Sequence, residues 1–78
     1  MKNSDKYVKI FTKTFGIKKQ KLTKLKYQSI NSWDSVGHMN LMSTLEEEFK
    51  IELDINDIVD FSSFEKGKKI LKKYKVKF

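Results

Sequence analysis

The feature that most constrains this chain is the spacing of its apolar residues. Tyr7, Phe11 and Phe15 recur every fourth position, as do Leu41, Leu45 and Phe49. Side chains four apart lie on one face of an α-helix, whereas a strand would need alternation with a period of two. No sustained alternation of that kind is present. The chain has no Pro and only three Gly, so few residues interrupt the helical periods. The reading is all-α. With 78 residues, the chain has room for one domain, residues 1–78, near the lower limit for a self-sufficient core. There is no Cys to staple it, and a lone His38 cannot build a zinc site without carboxylate help. Apolar residues make up 38% of the chain, enough for a small bundle.

Helix boundaries follow from capping residues. A first helix is expected from Ser4, as N-cap, to Phe15, with Asp5 favouring its positive end and Gly16 suited to the left-handed position that closes it. Ile17 to Trp33 is a long connection that Leu22, Leu25, Tyr27 and Ile30 must pin, with room for a turn of helix near Lys21–Lys24. Trp33 is read as its packing anchor. A second helix is expected from Asp34-Ser35 to about Lys50. A short third should run from Asp54 to Phe61, with Ile55, Ile58, Val59 and Phe61 as its apolar residues. A fourth, capped by Ser63, should run from Phe64 to about Tyr74, with Phe64, Gly67, Ile70, Leu71 and Tyr74 inward. The expected core includes Phe11, Phe15, Leu45, Phe49, Phe61 and Ile70. His38 is read as an exposed helix residue.

The net charge of +7 suggests a nucleic-acid partner, but its distribution argues otherwise. Residues 1–33 carry nine Lys against Asp5, a net +8. Residues 34–60 carry eight acids against Lys50, a net −7, and residues 61–78 carry seven Lys against Glu65, a net +6. The acidic middle would repel a duplex, and the chain has no Arg, the usual base reader. Glu46, Glu47 and Glu48 stand in the last turns of the second helix, where acids oppose the helix dipole at a cost of about 0.3–1 kcal/mol each. Their position points to a role other than helix stability. No apolar run of about 7–15 residues follows Lys2 and Lys6, as a secretory leader would need. Nor is there a stretch of about 18–20 apolar residues that could span a membrane. The expectation is a cytoplasmic monomer, without membrane insertion and without a nucleic-acid partner.

The stretch that carries chemistry is Trp33-Asp34-Ser35-Val36-Gly37-His38-Met39-Asn40-Leu41. A serine after a long connection and at a helix start is exposed, and the helix N-terminus favours an anion beside it. No cluster of His, Cys and convergent carboxylates supports independent catalysis, so no catalytic residue and no metal are expected. Asp34-Ser35-Val36 resembles the Asp-Ser-Leu attachment motif of acyl carrier proteins. Leu41 and Leu45-Glu46-Glu47-Glu48-Phe49 match that family's second helix without a gap, and Ile51-Glu52-Leu53, the acidic third helix and Ser62-Ser63-Phe64 follow its order. The resemblance covers roughly residues 30–72.

That resemblance implies a four-helix bundle with a long loop between helices 1 and 2 and a short third helix. It implies a 4'-phosphopantetheine arm, taken from coenzyme A by a phosphopantetheinyl transferase and attached covalently to Ser35. Asp34 and Val36 would complete the attachment motif. The arm's thiol would hold an acyl or aminoacyl group as a thioester. Loading and acyl-transferring enzymes would dock on Val36, Met39, Glu46 and Glu47, with the acids of the third helix steering encounter. The chain departs from the family in Gly37, where an acidic residue is common, in His38 and Met39-Asn40, and in its Lys-rich flanks. Gly37 is expected to loosen the helix start. These departures suggest a carrier for a specialised pathway. The rival readings are an unmodified, carrier-like adaptor and a basic helical protein that binds nucleic acid.

Overall fold

The structure is a computed structural model that describes residues 2–78. The described residues form four α-helices and no strands: α1 (Asn3–Phe15), α2 (Ser35–Phe49), α3 (Ile55–Asp60) and α4 (Phe64–Lys73). The chain is therefore all-α. None of these helices is long and apolar enough to cross a membrane. Sequence and structure disagree at the start of α1. The residue preceding the helix is Lys2, with no side-chain cap, and Ser4 lies inside the first turn. Its end is as expected, with Gly16 left-handed at φ 64° and its N–H donating to Thr12 O.

α1 packs along α2 and supplies the aromatic centre. Tyr7 and Phe11 are fully buried, and Ile10 and Phe15 nearly so. The Tyr7 hydroxyl donates to Phe64 O at 2.7 Å, tying α1 to the first turn of α4. Burial drives the Tyr7 phenol pKa far above its ordinary value. α4 sets Phe64, Gly67, Ile70 and Leu71 inward and its lysines outward. A methyl on Gly67 would collide with the Phe61 ring and the Tyr7 hydroxyl, so only glycine lets the three elements meet there. Phe49, expected in the core, is only partly buried and has the Lys6 ammonium 6.0 Å from its ring centre.

The connection from Ile17 to Trp33 is ordered by its own contacts. Lys19–Lys24 form a short 3₁₀ helix, somewhat longer than the expected turn, and Leu22, Leu25 and Trp33 are buried. Tyr27 N–H donates to Ser62 O at 2.8 Å and Phe64 N–H to Leu25 O at 3.0 Å, pairing the loop with the α3–α4 link. The Ser29 hydroxyl and the left-handed Gln28, whose N–H reaches Trp33 O, fold the rest back on itself. This delivers Trp33 to the start of α2.

α3 departs from the usual pattern of burial. Ile55 and Val59, two of the apolar residues expected on this helix, are 72% and 75% exposed, while Asp57 is buried. The cause lies on α4. The Asp57 carboxylate accepts from Lys73 Nζ and from the Tyr74 hydroxyl, each at 2.5 Å, and Tyr74 in turn accepts from Asp54 N–H at 2.9 Å. In a helix of only six residues, satisfying that carboxylate fixes the rotation of the whole element. Its aliphatic residues are left in solvent.

Candidate functional site

Ser35 is the first residue of α2 and is exposed. Asp34 caps the helix, its Oδ1 accepting from Gly37 N–H at 2.9 Å. Gly37 does not loosen this turn. A Cβ there would strike the Ser32 carbonyl oxygen, so the glycine admits the loop backbone against the helix. The absence of a side chain at this position thus serves a close contact that a sequence pattern cannot display.

His38 is likewise not the free surface residue expected. The Trp33 indole Nε1–H donates to His38 Nδ1 at 3.0 Å, and His38 Nε2 meets Ile58 O at 2.7 Å. An indole nitrogen only donates, so Nδ1 holds the lone pair and Nε2 carries the proton given to Ile58. Both nitrogens of the imidazole are used. Trp33, fully buried, stacks on Phe15 at 5.0 Å between centroids and meets Phe11 edge-on. One hydrogen-bonded series therefore links the loop, the start of α2 and the body of α3.

Beside Ser35 lies a cleft of about 450 Å³ between α2 and α3, walled by Tyr27, His38, Met39, Ile55, Ile58, Val59 and Phe61. No charged side chain lines it. Met39 is 51% exposed, and Val36, next to the serine, is 68% exposed. Together with Ile55 and Val59 they give the mouth of α2 an apolar rim. The sequence supplied Val36 and Met39. It identifies Ile55 and Val59 only as apolar residues of the third helix, because nothing local says that they face outward.

Glu46 and Glu47, both expected to meet a partner, are not equivalent. Glu47 is exposed, as are Asp34, Glu48, Glu52, Asp54 and Asp60. Glu46 is half-buried, and its Oε2 accepts from Leu53 N–H at 2.8 Å, holding the link to α3. Part of the reason for an acid in that unfavourable turn is therefore structural. Asp57, counted among the steering acids, is buried and paired with Lys73 and Tyr74. The hydrogen bonds from Lys73 and then Tyr74 hold its carboxyl below the usual carboxylate range. The Lys73 ammonium is correspondingly raised, chiefly by its bond to Asp57.

Among the described residues no group of three His, Asp or Glu side chains converges to hold a metal ion. Comparisons with known protein families, with curated proteins and with solved structures gave no match.

Proposed function

We propose that the protein is an acyl carrier of the four-helix type, modified on Ser35 with phosphopantetheine and without chemistry of its own. The observation that carries this reading is the exposure of Ser35 on the first turn of a 15-residue helix, with an apolar rim and a cleft beside it. The residues present suit the group. The hydroxyl is open to solvent, and the helix N-terminus offers backbone N–H groups and a positive dipole end to a phosphodiester. In attachment, the Ser35 oxygen would take the phosphopantetheinyl group of coenzyme A, lose its proton, and release adenosine bisphosphate. When bound, the arm supplies a thiol that carries an acyl or aminoacyl group as a thioester. Asp34 fixes the first turn, so the arm leaves the bundle in a set direction. Val36, Met39, Ile55 and Val59 offer partner enzymes an apolar contact, and the exposed acids from Asp34 to Asp60 steer their basic surfaces.

The test is attachment. Incubation with coenzyme A, a permissive phosphopantetheinyl transferase and Mg²⁺ is expected to raise the intact mass by one phosphopantetheine, and Ser35→Ala is expected to abolish the gain. A folded protein that no transferase labels would leave α2 as the docking surface of an unmodified adaptor.

A further inference from the structure

Resting on the carrier reading, we infer that the Trp33–His38–Ile58 hydrogen bonds bolt the bundle shut behind the Ser35 cleft, so that this carrier holds short cargo at its surface and does not draw a long acyl chain into its core. The cleft has a floor. His38 and Phe61 form it, and Phe61 is only 1% exposed. Immediately behind are Phe11, 6.3 Å from Phe61 between ring centroids, and Trp33, stacked against both His38 and Phe15. The space an aliphatic chain would need is filled by aromatic rings. In a close-packed interior they cannot give way without opening a void.

Entry would therefore require α3 to swing away from α2. That short helix is tied on both sides. Toward α2, His38 Nε2–H is bound to the Ile58 carbonyl, in a helix too short to satisfy all its own carbonyls. Toward α4, Asp57 is held by Lys73 and Tyr74, and Asp54 N–H by Tyr74. The first two are hydrogen bonds to a charged group, the stronger kind. What remains for cargo is the outer rim, where Met39, Ile55 and Val59 can cover a few carbons. A short acyl or aminoacyl group fits that rim, and a long chain would hang in water.

The experiment loads the full-length protein with butyryl- or myristoyl-phosphopantetheine, using a transferase that accepts acyl-coenzyme A, with loading verified by intact mass. Thioester cleavage by hydroxylamine and the NMR signal of the Trp33 indole N–H are then followed. A chain taken into the core would be protected about tenfold for every two methylenes buried. The expected result is cleavage of the two thioesters at rates within about twofold of each other, with the Trp33 signal unmoved. Much slower cleavage of the myristoyl form, with a displaced Trp33 signal, would overturn the inference and leave the carrier reading intact. No mass gain with either donor would remove the carrier reading, and this inference with it. Unbolting should create the missing protection. His38→Ala, or Lys73→Ala should the first variant not fold, is expected to slow cleavage of the myristoyl form relative to the butyryl form. Equal rates in a folded, unbolted variant would show that these bonds do not set the limit.

Discussion

α3 and α4 are consecutive helices that treat the same residue types in opposite ways. α4 follows the burial rule: Phe64, Ile70 and Leu71 go inward and the lysines outward. α3 violates it, with Asp57 inside and Ile55 and Val59 outside. The difference lies in length and partners. Ten residues give α4 enough apolar area to set its own rotation, whereas six residues of α3 yield to one satisfied carboxylate. The lesson is that departures from the apolar-inside pattern are informative, because exposed aliphatic residues gain nothing for folding. Here they line the cleft beside Ser35.

The contrast can be broken at several points. The largest effect is expected on α4, where Leu71→Ala removes a fully buried side chain and should cost about 2–5 kcal/mol in urea unfolding. Gly67→Ala should also destabilise, by about 1–3 kcal/mol, although alanine is the better helix former. The added methyl meets Phe61 and Tyr7, and only an unchanged or raised midpoint would contradict that packing.

Next comes Asp57→Asn, read by thermal midpoint against pH. A carboxyl with a lowered folded pKa stabilises above its unfolded value, about 3.9, and loses that contribution as pH falls through the folded one. The variant should melt lower than wild type at neutral pH, and the gap should close in acid. A gap independent of pH would mean that shape, not charge, orients α3. The smallest effect sharpens the comparison. Ile55→Ser and Val59→Ser should change stability by no more than about 0.5 kcal/mol, while weakening any contact with a partner enzyme.

How much of this was legible in the sequence follows from the reach of each interaction. Local signals served well. Asp34 and Ser63 cap α2 and α4, and Gly16 ends α1. Trp33 anchors its loop, and Ser35 is placed at a helix mouth from neighbours alone. The residues misread are those whose partners lie far along the chain or in the backbone. His38 meets Ile58 20 positions on, and Asp57 meets Lys73 16 positions on. Gly37 answers to a loop carbonyl, and Glu46 to the N–H of Leu53. In each case a polar or small residue on a helix reads as surface until the fold supplies its partner. The exposure of Ile55 and Val59 follows from the same cause, since nothing local says that Asp57 will take the inner position.

The Tyr74 hydroxyl holds the cap and the body of α3 at once. It sits past the final turn of α4, yet it steadies both Asp54 and Asp57, near the C-terminal end of the acidic segment. The cleft wall is thus moored from the C-terminal tail. Ending the polypeptide at Lys73, or straining the tail with a fusion partner, would slacken α3 without altering a single residue that borders Ser35.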